Sequence, residues 1–385
     1  MTVGILTLHS QTNYGAILQC WALQETLKEI GCDVVVLDRW SRALHYVLVG
    51  PYRSLFPWKW IFSFSRMVLR RYGMRSEIRR FRTRWFIKRN LNLSKFHFYD
   101  WLGVPKRLGV DCIVVGSDQV FNYNDEPWVY LLENAPRIKA ICYAASFGVT
   151  AIPNSLKKRY QDGLSRFYAI SCRENEGVNI CRSLGVESYH VCDPTLLVCK
   201  DKWKSLVREK HPNDSSLPSL VCYLIGNENV AETVSCCGEF ASAMSCRVKV
   251  FLHAYSAWRW DKPLPLPQNV DICMSAGPDV FLEAISSARW VLTNSFHGLM
   301  FALIFEKNFR MLMPNDGTRK EMFSRIAEIT EYVSGPMVLS TPEAALQSFR
   351  LGQEIVFDRY KLNLFKNSSM AFLRQQLFNQ EDILA

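Results

Sequence analysis

One stretch constrains the fold more than any other: residues 288–307, with the sequence ARWVLTNSFHGLMFALIFEK. Residues 290–292 (WVL) form a short apolar run of the length and composition of a buried strand. Residues 293–295 (TNS) break that run, and each can cap a following helix with its side-chain oxygen. Apolar residues then recur at helical spacing after Gly298. This order predicts a strand, a tight polar turn and a helix, which is the building unit of a parallel sheet.

His297 lies in this turn, so we expect it at the carboxyl edge of the sheet and at a helix N-terminus. Such a terminus carries unpaired N–H groups and a partial positive charge, which favour an anion. A histidine there can exchange protons with a bound anionic substrate. A histidine that only caps the helix or packs against it fits the same pattern, so the turn alone leaves both roles open.

The same alternation of strands and helices recurs along the chain. Residues 3–8 (VGILTL), a helix at 17–30 and a strand at 34–37 form a β-α-β unit, for which parallel pairing and a right-handed crossover are expected. Further strands are predicted on either side of a loop near 214–218. The predicted fold class is therefore α/β, with two Rossmann-like domains that face each other across a cleft.

The predicted domain organisation has three parts. The N-terminal Rossmann-like domain covers residues 1–199 and carries a basic, aromatic insert at about 40–101, which we interpret as two helices. Residues 200–217 are expected to link it to the second domain at 200–345. A helical segment at 346–385 is expected to pack back on the N-terminal domain.

Loops at the carboxyl ends of the two sheets would meet across the cleft, where open α/β sheets bind ligands. The residues expected in these loops are His9, Asn13, Ser117, Asp118, Arg173, Glu174 and His297.

The formal net charge of +10 is concentrated in one segment. Residues 51–90 contain twelve Lys or Arg residues against one acid, Glu77, so the segment carries +11 and the rest of the chain is nearly neutral. Trp and Phe residues are interleaved with the arginines. Two interpretations stay open: a solvated helical face, or a basic amphipathic surface that meets anionic lipid head groups. Nucleic acid is not favoured, because no recognised nucleic-acid-binding module accompanies the charge.

Cysteine usage and the absence of export signals favour the cytoplasm. None of the thirteen cysteines is in a CxxC pair, and many lie inside apolar strands, which is typical of buried thiols in a reducing compartment. The first residues lack the basic region of a signal peptide, and no apolar run reaches the length of a membrane span.

Several common catalytic signatures are absent from the sequence. There is no GxGxxG after a strand, no GxxxxGK[ST], no HExxH and no GxSxG. Nucleotide-dependent hydride transfer, P-loop hydrolysis, zinc hydrolysis and the lipase triad therefore lose support. We expect no metal site, because the seven histidines are scattered.

Five segments resemble, in the same order, those of the polysaccharide pyruvyl transferases. They are GILTLHSQTNYGAILQCWALQETLKEIG, VVGSDQVFN, SCRENEG, VCDPTLL and TNSFHGLMFALIFEKNF. The resemblance runs from about residue 3 to residue 330 and omits the basic insert. It implies a two-domain fold like that of GT-B glycosyltransferases. It also implies transfer of a pyruvyl group from phosphoenolpyruvate to two hydroxyls of a sugar, which gives a cyclic ketal on an exopolysaccharide, capsule or cell-wall glycan. Phosphoenolpyruvate is then a donor substrate, and no cofactor is implied.

The resemblance also implies roles for individual residues. His297 matches the family's donor-site histidine and is assigned as acid/base. Arg173 matches the family's arginine and would hold the donor's carboxylate or phosphate with two hydrogen bonds. Asp118 is the candidate base for the acceptor hydroxyl, or its orienter, and a role as a turn residue that caps a helix is equally open. Ser295 stands where some members carry an arginine, so the donor must depend on other arginines or on backbone N–H groups.

Further contacts with substrate are expected from residues in the same loops. They are Ser117, Gly298, His9, Asn13 and Arg325. Asn13 also suits a turn-forming role, which is favoured for it. Asp193, in the Asp-Pro-Thr sequence, is expected to form a turn at the domain edge and not to take part in the chemistry.

The expected acceptor is a sugar, with an undecaprenyl-linked precursor as one option. Lipid-linked acceptors would lie at the inner membrane face, and the basic segment at 51–90 would then dock a cytoplasmic protein there as a peripheral one. Two alternatives remain: a GT-B glycosyltransferase that uses a nucleotide sugar, and a non-catalytic scaffold of polysaccharide assembly.

Overall fold

A computed structural model describes most of the chain. The described residues are 1–9, 13–39, 73–103, 109–207, 220–226, 230–253, 266–313, 326 and 328–378.

The first sheet has seven parallel strands in the order β3-β2-β1-β4-β5-β6-β7. The strands are β1 Thr2–Leu6, β2 Asp33–Arg39, β3 Leu93–Phe98, β4 Cys112–Val115, β5 Lys139–Ala145, β6 Ala169–Cys172 and β7 Tyr189–His190. The winding direction reverses between β1 and β4. Since ligand sites form at such a switch point, the loops after β1 and β4 are the relevant ones.

The second sheet has six parallel strands in the order β10-β9-β8-β11-β12-β14. The strands are β8 Leu220–Leu224, β9 Val248–Leu252, β10 Val270–Ile272, β11 Trp290–Thr293, β12 Asn308–Leu312 and β14 Val338–Leu339. A small antiparallel pair joins β13 Val333–Ser334 and β15 Val356–Phe357. The switch point lies between β8 and β11, so the turn that carries His297 follows a switch-point strand.

Ten α-helices lie in the described residues. They are α1 Tyr14–Glu29, α2 Gly73–Asn90, α3 Asn154–Leu164, α4 Asn175–Ser183, α5 Lys200–Ser205, α6 Val230–Ala243, α7 Pro278–Ser287, α8 Phe296–Ile304, α9 Pro342–Arg350 and α10 Arg359–Leu377. None of the helices in this part of the chain is long and apolar enough to cross a membrane.

The segment at about 40–101, which we interpreted as two inserted helices, ends in one helix and one strand. Residues 40–72 lie outside the described residues, α2 is one continuous helix, and β3 then pairs in parallel with β2. Phe96 and Phe98, two residues apart, lie on one face of this strand. The interpretation of the segment as two helices did not include this strand, because the charge pattern hid its short alternation.

Two other stretches differ from the expected organisation. The predicted linker begins with a helix, α5, whose Trp203 is fully buried, and residues 208–219 lie outside the described residues. Helix α9 was not expected; Thr341 caps it by accepting a hydrogen bond from the backbone N–H of Ala344 at 3.2 Å.

Helix α1 packs between the two domains. Tyr14 stacks on Phe281 of α7 with ring centroids 4.8 Å apart, and Trp21 packs on Trp203 at 4.7 Å. Trp203 meets Phe301 of α8 edge-on at 4.9 Å. Because α1 is buried on both sides, it carries apolar residues around most of its circumference. One apolar cluster therefore runs from the first domain into the second.

The C-terminal helix α10 lies against the first sheet. The Ser369 hydroxyl accepts a hydrogen bond from the backbone N–H of Cys192 at 2.9 Å. Phe372 packs against Tyr143 of β5, with ring centroids 6.4 Å apart. The chain thus returns from the second domain to the first.

Candidate active site

The His297 ring lies at the N-terminus of α8, directly at the interface between the domains. Ser295 is the N-cap of this helix, and its hydroxyl accepts a hydrogen bond from the backbone N–H of Gly298 at 3.3 Å. The ring faces Gly15 at the start of α1 so closely that a Cβ at Gly15 would collide with Nδ1. His297 is only 7% exposed. It is therefore held between two helix N-termini, one from each domain.

Asp193 of the first domain faces His297 across this interface. The distance from His297 Nε2 to Asp193 Oδ2 is 3.8 Å. Arg173 Nη1 donates to the same oxygen at 3.1 Å, and Thr195 donates from its backbone and its hydroxyl to Oδ1. Burial opposes ionisation of Asp193, but the charges of His297 and Arg173 and the Thr195 hydrogen bonds lower the pKa of its carboxyl below the ordinary value.

Arg173 is a buried cation shared by three carboxylates. Besides Asp193, its Nη1 lies 3.6 Å from Asp118 Oδ1 and its Nε lies 3.5 Å from Glu174 Oε2. Its guanidinium also lies over the Phe296 ring, 4.2 Å from the centroid. Burial alone would lower the pKa of Arg173, but the three carboxylates raise it. Protein carboxylates thus engage the guanidinium in this arrangement, and its contact with a donor anion stays a prediction.

The turn after β4 brings Ser117 and Asp118 to the same cluster. Gly116 has φ +115°, and the carbonyl oxygen of Tyr143 leaves no room for a Cβ there. Asp118 has φ +70°, in the left-handed region that Asp tolerates better than most residues. The Ser117 hydroxyl is fully buried and lies 3.1 Å from Asp193 Oδ2. Ser117 therefore positions Asp193 instead of facing open space.

His9, also predicted to lie in the cleft, belongs to a second polar cluster. Its Nε2 lies 3.1 Å from Asp38 Oδ1 and its Nδ1 lies 3.1 Å from the carbonyl oxygen of Thr7. His97 Nδ1 lies 2.6 Å from the other Asp38 oxygen. Burial would raise the pKa of Asp38, but these two histidines lower it. The Thr7 hydroxyl donates to the carbonyl of Ser117 at 2.9 Å, which connects the two clusters.

The other residues expected to touch substrate have local structural contacts. The Asn13 side chain caps α1 by accepting from the backbone N–H of Gly15 at 3.0 Å. Gly298 has no room for a Cβ because Thr293 Oγ1 lies against it, so it lets α8 approach β11. Arg325 lies outside the described residues. Contacts of these residues with substrate stay a prediction.

Sequence reasoning missed two residues of the cleft, Asp193 and Arg79. Asp193 does cap the short 3-10 helix Pro194–Leu196, as the Asp-Pro-Thr pattern indicates, and the same carboxylate also faces Arg173 and His297. The sequence predicted a turn here, and the contacts of this carboxylate with Arg173 and His297 were not expected.

Arg79 lies in the basic segment that we assigned to an outer surface, yet it points inward. It is 5% exposed, its guanidinium lies over the Tyr14 ring at 4.4 Å, and its Nη1 donates to the carbonyl of Leu252 at 2.6 Å. Burial, and then the charge of Arg79, lower the pKa of His253 to about 4. Arg79 therefore supplies positive charge between the domains, beside the helix that carries Gly15.

The cluster combines groups that acid–base chemistry on an anion requires. His297 can exchange a proton. Three buried carboxylates lie in the same cluster, those of Asp118, Glu174 and Asp193. Arg173 and two helix N-termini supply positive charge. All of these side chains are buried in the described arrangement, so the chemistry would take place away from bulk water.

Solved structures that resemble this chain are UDP-GlcNAc 2-epimerases. The enzyme of Methanocaldococcus jannaschii matches with a TM-score of 0.52 and 12% identity, covering 97% of this chain and 99% of that one. The enzyme of Rickettsia bellii matches with a TM-score of 0.53 and 8% identity, covering 97% and 95%. The enzyme of Neisseria meningitidis bound to UDP-GlcNAc matches with a TM-score of 0.50 and 12% identity, covering 98% of each chain. At these identities the likeness concerns the fold, and it confirms two Rossmann-like domains in a GT-B-like arrangement.

No curated protein matches the sequence of this chain. The family model described as polysaccharide pyruvyl transferase, in contrast, matches residues 13–316, well over half of the 385 residues. The matched range contains the Gly15, Asp118, Arg173, Asp193 and His297 positions that meet at the domain interface. The chain therefore belongs to the polysaccharide pyruvyl transferase family.

Proposed function

We propose that this transferase moves the pyruvyl group of phosphoenolpyruvate onto two hydroxyls of a sugar in a polysaccharide or glycan precursor, forming a cyclic ketal and releasing phosphate. One observation carries the proposal. A histidine of the second domain and a cluster of Arg173 with three carboxylates of the first domain meet across the interface. Family membership supports pyruvyl transfer in general.

The reaction needs one acid, one base and a site for the anionic donor. The methylene carbon of phosphoenolpyruvate gains a proton and becomes a methyl group, while a sugar hydroxyl loses a proton and attacks the neighbouring carbon. The bond from that carbon to the phosphate oxygen then breaks, and a second hydroxyl forms the second ketal bond. The sugar loses two hydroxyl protons. One equivalent is the proton gained by the new methyl group, and the other is taken up by the released phosphate.

His297 is the proposed acid for the methylene carbon. Asp193 stays ionised next to it because Arg173 and Thr195 stabilise its charge. By the same Coulombic attraction, the ionised carboxylate favours a protonated imidazole ring. Asp193 would thus orient the ring and keep a proton available for transfer, as a carboxylate does for other catalytic histidines.

Asp118 is the proposed base for the acceptor hydroxyl. Its carboxylate is 7% exposed and lies at the end of β4, next to the switch point of the first sheet. Arg173 Nη1 lies 3.6 Å from Asp118 Oδ1 and orients the carboxylate. A base on the first domain and an acid on the second would act on opposite sides of the donor's double bond.

Donor binding must overcome the negative charge of the cluster. Three carboxylates surround Arg173, so a donor that carries both a phosphate and a carboxylate needs further positive charge. The N-termini of α8 and α1 provide backbone N–H groups, and Arg79 provides a second guanidinium between the domains. We propose that Arg79 supplies the cation that Ser295 does not.

The proposal is tested with the purified full-length protein, phosphoenolpyruvate and a panel of sugars. Phosphate release that depends on the sugar, together with a mass gain of one pyruvyl ketal on that sugar, is the expected result. Transfer from a nucleotide sugar with no reaction of phosphoenolpyruvate would instead establish the glycosyltransferase alternative. A protein inactive with both donors on every acceptor would favour a scaffold role.

The proposed acceptor is a membrane-linked sugar, and an undecaprenyl-linked precursor is one case. Such an acceptor would lie at the cytoplasmic face of the inner membrane. The basic segment at 51–90 supports this part of the proposal. A comparison of the same sugar in free and lipid-linked form, at equal concentration with vesicles present, measures the preference. Equal rates on both forms would contradict it.

A further inference from the structure

Helix α2 presents one outward face that is both apolar and cationic. Three large apolar side chains lie on it at exposures of 38%, 71% and 50%; they are Ile78, Phe81 and Trp85. Their spacing of three and four residues places them in a single stripe along the helix. Four exposed cations flank the stripe, namely Arg80, Arg84, Lys88 and Arg89. Residues 78–90 contain no Asp or Glu, so no acid on this helical stretch offsets the charge.

The opposite face of α2 is fixed to the body of the protein. Phe86 and Ile87 belong to the apolar cluster that joins the domains. Arg79 donates to the carbonyl of Leu252, and Arg82 Nη1 donates to the carbonyl of Ser275 at 3.0 Å. Because these contacts hold the helix in place, its outer stripe cannot turn inward to be buried.

We infer that the outer face of α2 docks on an anionic lipid surface. Side chains such as Ile78 and Phe81 have no polar atoms and gain free energy when they leave water for the acyl boundary of a bilayer. The flanking Lys and Arg side chains reach the anionic head groups while their aliphatic parts cover the apolar stripe. Trp85, with Arg89 5.1 Å from its ring centroid, suits the interfacial depth.

This geometry fixes how the protein meets the membrane. Helix α2 would lie parallel to the surface with its stripe inserted, and its contacts with Leu252 and Ser275 place the second domain on the side of the helix that faces away from the lipid. The docking surface is independent of the proposed reaction. Lipid binding can therefore be measured without any assay of catalysis.

The test measures binding of the full chain to vesicles by co-sedimentation, at about 0.15 M salt. Vesicles of phosphatidylcholine mixed with phosphatidylglycerol should retain the protein, and vesicles of phosphatidylcholine alone should not. Higher salt should release the protein, because the attraction between the cations and the head groups is screened. Equal binding to both vesicle types, or no binding to the anionic ones, would overturn the inference.

Two variants assign the binding to this face. The double change Arg84→Gln and Lys88→Gln should lower the partition coefficient about thirty-fold, since each cation near an anionic surface contributes about fivefold. The double change Phe81→Ser and Trp85→Ser should abolish retention even at low salt. Arg79 and Arg82 stay unchanged in both variants, because they hold the second domain.

Matched controls lie on other helices. Lys157→Gln with Lys158→Gln removes two exposed cations from α3, and Tyr360→Ser with Leu364→Ser removes two exposed apolar side chains from α10. Both controls should bind anionic vesicles as the unchanged protein does. A control that loses binding equally, or α2 variants that keep it, would show that another surface meets the lipid. Retention on single-stranded RNA but not on vesicles would assign α2 to nucleic acid instead.

Discussion

Two histidines of this protein follow the same local pattern and have different environments. His9 follows β1 and comes before α1, whereas His297 follows β11 and lies in the first turn of α8, and both helices start beside a switch point. His9 is 1% exposed, and both of its ring nitrogens lie 3.1 Å from oxygen atoms, of Thr7 and Asp38. His297 is 7% exposed, and its Nε2 lies 3.8 Å from the Asp193 carboxylate of the other domain.

The difference lies in how the two rings are held. His9 is held within one domain by Thr7 and Asp38, so we expect it to contribute to stability. His297 lies between the domains, and its Nε2 lies 3.8 Å from a carboxylate oxygen of the other domain, a distance at which the charge of that carboxylate acts on the ring. An acid that serves a substrate bound between the domains must lie at their interface, and of the two histidines only His297 does.

The largest expected effect is that of His297→Gln. Loss of the proposed acid should lower the rate of phosphate release from phosphoenolpyruvate by about 10²–10⁴-fold, which is the usual contribution of a positioned acid. The free energy of unfolding, measured with denaturant, should change little. If the variant keeps more than a tenth of the activity, His297 is not the acid, and its role does not differ from that of His9.

Gly15→Ala should have the next largest effect on the rate. The new Cβ would displace the His297 ring, and a misplaced catalytic group can lose about 10²-fold in rate. The free energy of unfolding should fall by about 1–3 kcal/mol, because the new Cβ overpacks a buried site, so the rate is measured on the fraction that is folded. Gly4→Ala in β1 is the matched control, since its Cβ would meet side-chain atoms at an ordinary 3.4 Å. Equal kcat values for the two variants would mean that the contact between Gly15 and His297 does not matter.

Arg79→Gln tests which cations surround the donor on the His297 side. We expect KM for phosphoenolpyruvate to rise about tenfold with a smaller change in kcat, because a charged hydrogen bond to the donor is lost. Arg84→Gln, on the exposed face of the same helix, is the control and should leave KM unchanged. A rise in KM for both variants would point to a general loss of positive charge and not to a specific contact.

His9→Gln should act on stability. Asp38 would lose one of its two histidine partners while staying buried, at a cost of about 2 kcal/mol in the free energy of unfolding. The kcat of the folded protein should stay within about twofold. A loss of kcat like that of His297→Gln, at unchanged stability, would show that His9 contacts the substrate, as the sequence first suggested.

The smallest effect concerns acid pH. The pKa of Asp38 is lowered in the folded state, so its contribution to stability is present above its unfolded pKa and is lost as pH falls through the folded one. Asp38→Asn should therefore be less stable than the unchanged protein near pH 7 and lose about 1 kcal/mol less on acidification below pH 4. Denaturant unfolding at both pH values measures this. Parallel pH profiles would show that Asp38 does not contribute through its charge.

Much of the fold could be predicted because it depends on local patterns. The strand, turn and helix around His297, the β-α-β unit at the N-terminus and the two-domain α/β class all follow from apolar periodicity and capping residues. Helix α1 was predicted for the same reason. Edge strand β3 was not, since the arginines and aromatic residues of its neighbourhood are a stronger signal than its short alternation.

Within the candidate site, the predicted and the missed residues differ in the kind of information they need. His297, Arg173 and Asp118 each follow a strand, so their place at a sheet edge is a local property. Asp193 was expected to form only a turn because its hydrogen bonds to Thr195 are local, whereas its contacts with Arg173 and His297 join residues far apart in sequence.

The sequence by itself determined where strands stop, which helices are capped and which polar residues reach the sheet edges, because these depend on residues a few positions apart. Only the tertiary structure decided that Arg79 turns inward while Phe81 and Trp85 turn outward, and that Gly15 makes room for His297. Those outcomes depend on how two domains pack, and the free energy of that packing is shared among side chains that no short window of sequence contains.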